Sequence, residues 1–89
     1  MPEKDLLQDA LHMVREHRYA DSSRYLADIV SSLTFGGKNR AVDLSSFTLL
    51  DERARRLVFD LITARVKDTY HAEVWDEMAT KMQNTIKGA

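Results

Sequence analysis

The feature that most constrains this chain is the interval between its apolar residues, which is three or four positions along most of its length. That interval places side chains on one face of an α-helix, whereas a half-buried strand would alternate at every second residue. No proline follows Pro2, so no residue in the rest of the chain lacks the amide donor that a helix needs. The pattern predicts an all-α fold.

Turn-forming and capping residues divide this pattern into four predicted helices and one longer loop. We place the helices at 3–18, 22–35, 48–67 and 69–87, and the loop at 36–47. Gly36 and Gly37 favour the end of the second helix, because glycine readily adopts the left-handed backbone that follows many helices. Asp21 is expected to cap the second helix and Thr48 the third. Two arrangements fit: a small four-helix bundle, or two helical hairpins joined by the loop.

Length and composition restrict the class of protein further. The 89 residues suffice for a single helical domain, and 44% of them are hydrophobic with a formal net charge of -1, which argues against a disordered or strongly basic chain. The chain has no cysteine, which excludes disulfides and cysteine-based zinc sites. No apolar run approaches the roughly 18 residues of a membrane helix, and the first residues do not resemble a secretion signal. We therefore expect a cytoplasmic protein with no membrane partner.

The third predicted helix carries more apolar residues than one buried stripe requires. The face expected to meet the core consists of Leu50, Ala54, Leu57, Val58 and Leu61. Phe59, Ile62 and Val66 lie further round the helix, at positions i, i+3 and i+7. This second side is either covered by the chain itself, or exposed by chance, or a contact surface for another protein or a second copy. We predict a protein interface made by Phe59, Ile62 and Val66 with Arg55 beside them.

Positive charge is concentrated in the middle of the chain. Residues 36–67 contain seven basic and four acidic side chains, whereas acids exceed bases by two in both 1–35 and 68–89. The candidates for contact with nucleic acid or an acidic protein are Lys38, Arg40, Arg53 and Arg56. Two of the helix arginines have an acidic residue four positions earlier, however, which favours a solvated, self-neutralising surface. Nucleic-acid binding is therefore the alternative function.

Two histidines near predicted helix ends suggest a polar cluster. In an up-down-up-down bundle, the end of the first helix and the start of the fourth lie at the same pole, which would bring His17 and His71 together with Tyr19 and Tyr70. The cluster is either a hydrogen-bonded closure of the bundle, a pH-sensitive contact or a weak metal site, because histidine titrates near neutrality and binds metals.

Motifs for catalysis are weak throughout the sequence. Asp9 and His12 have the carboxylate-x-x-His spacing of di-iron bundles, as do Asp68 and His71, but the first pair lies off the apolar face and Asp68 suits a helix cap. No serine lies in a G-x-S-x-G motif, and no phosphate-binding loop is present. We therefore expect no enzyme, no metal and no cofactor. The preferred function is a small non-catalytic protein-interaction module, a regulator, adaptor or inhibitor that binds a partner protein or forms a homodimer.

Overall fold

A computed structural model of the chain describes residues 3–34, 42–67 and 71–88. Within these ranges the chain forms four α-helices and one 3-10 helix: α1 (Glu3–Glu16), α2 (Asp21–Leu33), the 3-10 helix (Leu44–Leu49), α3 (Glu52–Arg65) and α4 (Ala72–Lys87). No strand occurs in the described ranges. The predicted all-α fold is confirmed.

α1 and α2 form the centre of the fold. They contact each other, and each of them also packs against α3 and against α4, whereas α3 and α4 approach each other at few points or none. The arrangement is therefore a small helical bundle, in which α3 and α4 do not form the second of two hairpins. α3 is a flanking helix, so one side of it has no helical neighbour of its own.

The core is formed by one face of each α-helix. The largest fully buried side chains are Leu7, Val14, Val30, Leu50, Val58, Leu61, Trp75 and Met82. All five residues of the predicted core face of the third helix are buried, and Trp75, at the centre of its own stripe, is inaccessible to solvent. Removing an aliphatic or aromatic side chain from water contributes about 1.5–3 kcal/mol, so these helical stripes account for the packing of the four helices.

The third helix begins later than predicted, because Asp51 rather than Thr48 provides its cap. The Asp51 carboxylate accepts a hydrogen bond from the amide of Ala54 at 2.8 Å, which satisfies a donor that the first turn leaves free. Thr48 instead belongs to the 3-10 helix, where its hydroxyl donates to the carbonyl of Ser45 at 3.1 Å. The predicted loop thus contains a short helix of its own.

Two other predicted helix starts also differ. α2 is preceded by Ala20, which forms no side-chain cap, and Asp21 is the first helical residue. A carboxylate at that position still interacts favourably with the positive end of the helix dipole. α4 begins after His71, and the predicted cap residue Asp68 lies outside the described residues.

The 3-10 helix is fastened to α2 through Asp43. The Asp43 carboxylate accepts hydrogen bonds from the amide and hydroxyl of Ser45 at 3.0 and 2.7 Å, and these bonds hold the pKa of Asp43 below its usual range. The Asp43 carbonyl accepts a bond from the Tyr25 hydroxyl at 2.7 Å. Burial of the phenol, together with the nearby Asp43 charge, raises the pKa of Tyr25. The segment before α3 is thereby held against the core.

Candidate functional site: the exposed side of α3

The second apolar side predicted for the third helix is open to solvent. Phe59, Ile62 and Val66, hereafter the apolar side of α3, are 60%, 41% and 76% exposed. The interpretation that the chain's own helices cover this side is therefore wrong. The reason is the flanking position of α3, whose buried face packs against α1 and α2.

These three residues form one surface because of their spacing. Successive residues of an α-helix are rotated by about 100°, so positions 59, 62 and 66 fall within about 60° of one another. Val66 follows the last helical residue but keeps a helical backbone conformation, with φ −87° and ψ −1°. The three side chains thus point away from the buried Leu57 and Leu61.

The 3-10 helix extends this surface. The ring of the half-buried Phe47 meets Phe59 edge to face, with 5.5 Å between ring centroids and 66° between ring planes. Leu44 lies three residues before Phe47, which places it on the same side of a 3-10 helix, and it is 82% exposed. The Leu-x-x-Phe spacing could have indicated that these two residues share one side of a short helix. We missed this because we predicted a loop for 36–47.

Arg55 lies at one end of the apolar side of α3. Its Nε donates a hydrogen bond to the carbonyl of Leu50 at 2.8 Å, and its side chain is otherwise exposed. The bond gives a partner to the Leu50 carbonyl at the end of the 3-10 helix. It also holds the guanidinium of Arg55 one helical turn before Phe59. The structure thus brings together all four residues of the predicted interface.

Of the four predicted nucleic-acid contacts, the structure describes Arg53 and Arg56, and acidic side chains lie beside both. Arg53 and Arg56 line one shallow depression at the start of α3, but Asp51 and Glu52 line it with them. Arg56 and Glu52 approach to 4.0 Å with both side chains largely exposed, a geometry that contributes little energy. Lys38 and Arg40 lie outside the described residues.

A further arginine of α3 has a structural role. Arg65 donates its Nε to the carbonyl of Leu33 at 2.6 Å. Leu33 is the last residue of α2, and its carbonyl has no partner within that helix's own hydrogen-bond ladder. Arg65 therefore ties the end of α2 to α3, which accounts for one of the basic residues between 36 and 67.

The predicted histidine cluster is not formed. The Nδ1 of His71 lies 3.0 Å from the Glu3 carboxylate, so α4 starts beside the start of α1. His17 follows the other end of α1, about 21 Å away along a helix of that length. The expectation was wrong because it assumed that α4 starts where α1 ends.

Tyr19, another member of that predicted cluster, follows the end of α1 as His17 does and is also apart from His71. Tyr19 is exposed, and the Arg18 guanidinium lies over its ring at 5.2 Å from the ring centroid. Tyr70 lies outside the described residues. His17 approaches Glu16 to 3.9 Å on the surface. His17 and Tyr19 therefore form no shared polar site with His71.

Glu3 joins the first and last α-helices of the chain. Its largely buried carboxylate accepts hydrogen bonds from the backbone amide of His71 at 3.2 Å and from the indole Nε1 of Trp75. Although burial alone would raise the pKa of Glu3, its hydrogen bonds to His71 and Trp75 outweigh burial, and the pKa lies below the ordinary value. Sequence reasoning missed this residue because its partners are distant along the chain.

A small cleft opens between the end of α1, the start of α2 and the start of α3. Its volume is about 160 Å³, and it is lined by Met13, Glu16, His17, Ser22, Ser23, Leu26, Leu49, Leu50, Asp51, Arg53 and Ala54. The Asp51 carboxylate in its wall already accepts the amide of Ala54. The cleft therefore combines apolar side chains with side chains of both charges.

Comparison with known proteins adds no assignment: no family model, no curated protein and no solved structure matches this chain. Within the described ranges, no three His, Asp or Glu side chains converge in a way that could hold a metal ion. The helices described here include none that is both long and apolar enough to cross a membrane. The candidate site therefore depends on the surface of α3 itself.

Proposed function

We propose that this protein is a non-catalytic interaction module that binds another protein through the apolar side of α3. The observation that carries the proposal is the joint exposure of Phe59, Ile62 and Val66 on one helix face. Exposed apolar residues are ordinary when scattered, but a continuous stripe at helical spacing is the kind of surface that a partner's helix or groove buries. A small regulator, adaptor or inhibitor can act simply by occupying a surface of its partner protein.

The size of the surface favours reversible binding. Full burial of a large apolar side chain is worth about 1.5–3 kcal/mol, and each of these residues is already partly covered, so a partner gains about 1–2 kcal/mol from each. Association itself costs on the order of 4–15 kcal/mol in lost freedom. Phe47 and Leu44 enlarge the contact. The balance between apolar burial and the cost of association favours a transient complex with a partner or a homodimer of modest affinity.

Nucleic-acid binding has less support. The Arg53 and Arg56 side chains share their depression with two carboxylates, which offset their positive charge. Arg55 and Arg65 each use their Nε to bind a backbone carbonyl. Phosphate contacts need positive charge that is not already neutralised, so the apolar side of α3 is the better candidate.

Replacement of Phe59 by aspartate tests the proposal. Tyr19→Asp is the matched control, because Tyr19 is a similarly exposed aromatic residue on the turn between α1 and α2, outside the apolar side of α3. Light scattering of the purified proteins measures self-association, and affinity capture from host extract with quantitative mass spectrometry measures other partners. We expect the wild type and Tyr19→Asp to retain the same dimer or the same captured protein, and Phe59→Asp to lose it.

Circular dichroism of the three proteins is the accompanying control. Equal helical content shows that a loss of binding comes from the surface rather than from unfolding. If all three chains are monomeric and capture the same proteins in the same amounts, the apolar side of α3 is not an interface and the proposal is wrong.

A further inference from the structure

The small cleft beside the starts of α2 and α3 contains polar groups that the proposed interface does not use. Its volume of about 160 Å³ is close to that of a cavity that holds one benzene molecule, about 150 Å³. The apolar part of its wall consists of Met13, Leu26, Leu49, Leu50 and Ala54. A ligand in the cleft therefore has room for one apolar group of the size of a leucine side chain.

Ser23 is a buried polar residue in the wall of the cleft. It is only 4% exposed, and its hydroxyl has no hydrogen-bond partner among the described residues. Buried hydroxyls are normally hydrogen-bonded, because an unpartnered one loses its interaction with water without replacement. No side-chain oxygen in the described ranges is both unpartnered and sealed from solvent. The Ser23 hydroxyl therefore opens towards solvent, and the cleft that Ser23 lines makes it available to a ligand.

The first turn of α2 supplies a second donor next to Ser23. Ala20 precedes α2 and forms no side-chain cap, and the amide of Ser22 has no partner in the part of the chain that the structure describes. Amides in the first turn of a helix carry the positive end of the helix dipole and favour an acceptor with negative charge. Asp21 is exposed and is not one of the residues that line the cleft. Ser22 and Ser23 therefore offer two donors to one anionic group.

Arg53 brings positive charge to the same cleft. Its side chain is exposed, lines the cleft and forms no ion pair with any described residue. Guanidinium groups bind carboxylates through paired, charge-assisted hydrogen bonds. The amide, the hydroxyl and the guanidinium together provide the donors that the two oxygens of a carboxylate require.

Negative charge lies on another part of the wall. The Oδ1 of Asp51 accepts the amide of Ala54 at 2.8 Å, whereas its Oδ2 has no partner among the residues described. Glu16 also lines the cleft, but its carboxylate already contacts the Nε2 of His12 at 2.8 Å. The Asp51 carboxylate can therefore accept a hydrogen bond from an ammonium group while it continues to cap α3.

We propose that the cleft binds a free α-amino acid with a medium-sized apolar side chain, such as leucine or methionine. The Ser22 amide, the Ser23 hydroxyl and the Arg53 guanidinium bind the carboxylate of this ligand. Asp51 binds its ammonium group, and the apolar wall receives its side chain. The cleft is separate from the apolar side of α3, so this site does not depend on the proposed function.

Titration of L-leucine into the ¹⁵N-labelled protein, followed by the chemical shifts of its amides, tests the proposal. We expect saturable shifts at Ser22, Ser23 and Arg53 with a Kd on the order of 1 mM, because so small a ligand makes few contacts. N-acetyl-leucine lacks the ammonium charge and leucinamide lacks the carboxylate. Each should bind about tenfold more weakly, the effect of losing a hydrogen bond to a charged group. Glycine, which has no side chain for the apolar wall, should also bind about tenfold more weakly.

Substitutions in the wall assign the two ends of the ligand. Asp51→Asn keeps a side chain that caps α3 but removes the charge, so leucine should lose its advantage over N-acetyl-leucine and keep its advantage over leucinamide. Arg53→Gln and Ser23→Ala should instead reduce the advantage of leucine over leucinamide. Asp60→Asn and Arg56→Gln are the matched controls, because they remove the same charges from α3 outside the cleft and should bind leucine as the wild type does.

The ligand series on the wild type can overturn the proposal without any variant. The proposal is wrong if leucine gives no saturable shifts, or if glycine binds as tightly as leucine. Equal binding of N-acetyl-leucine and leucine also overturns it, since that result indicates the carboxyl terminus of a polypeptide rather than a free amino acid. Phe59→Asp should leave leucine binding unchanged, so failure of this site and failure of the proposed interface are distinguishable.

Discussion

The carboxylate of Glu3 lies 3.0 Å from the Nδ1 of His71 and accepts the backbone amide of the same residue at 3.2 Å, which joins positions 68 residues apart. His71 directly precedes α4, and Glu3 is the first residue of α1. The contact therefore aligns the starts of two helices. It also closes the bundle between the first and last described elements.

Replacement of Glu3 by glutamine should destabilise the protein. Glutamine keeps the size of the side chain but removes the charge and one acceptor, leaving either His71 or Trp75 with a weaker partner. We expect a loss of about 1.5–3 kcal/mol in the free energy of unfolding, the range for hydrogen bonds to a charged group. Urea denaturation measures it. Asp5→Asn, an exposed neighbour in the same helical turn, should change stability by less than about 0.5 kcal/mol.

The contribution of Glu3 should disappear in acid. Its pKa in the folded protein lies below the ordinary value of 4.5, so the unfolded chain binds a proton more readily than the folded one. The stabilisation is therefore complete above the ordinary pKa and is lost as the pH falls through the folded value. We expect the unfolding free energies of the wild type and Glu3→Gln to converge below that range. A difference that stays constant from neutral pH into acid would contradict this assignment.

Removal of the Tyr25 hydroxyl should loosen the 3-10 helix without unfolding the bundle. Tyr25→Phe deletes the bond to the Asp43 carbonyl, which is 2.7 Å long, and leaves the buried ring in place. We expect a cost of about 0.5–1.5 kcal/mol and faster amide exchange in the segment Leu44–Leu49. Tyr19→Phe is the control, since the Tyr19 ring is exposed. Unchanged exchange in this segment would show that Tyr25 does not hold it.

The two sides of α3 should differ sharply in their effect on stability. Leu61 is fully buried and Val66 is 76% exposed. Leu61→Ala is expected to cost about 2–5 kcal/mol, because it removes methyl groups and leaves a cavity. Val66→Ala should remain within about 0.5 kcal/mol of the wild type, as surface substitutions usually do. Thermal and urea unfolding provide both values, and a large cost at Val66 would place that residue in the core.

Local patterns were sufficient to predict the helices and their buried faces. The residues expected to meet the core from the third helix are all buried. The 3-10 helix escaped prediction because six residues with three-residue periodicity produce little signal. Boundaries moved by a few residues for a related reason: several polar residues can cap a helix, and the surrounding contacts select one of them.

The angular position of Phe59, Ile62 and Val66 around their helix was determined by the sequence alone, because helical rotation per residue is a local property of the backbone. Whether another helix covered them was decided by the tertiary structure, in which α1 and α2 occupy the core face of α3 and α4 lies elsewhere. The pairing of His71 with Glu3 instead of His17 was decided in the same way. Both outcomes depend on the direction and neighbours of whole helices, and these are set by packing between residues far apart in the chain.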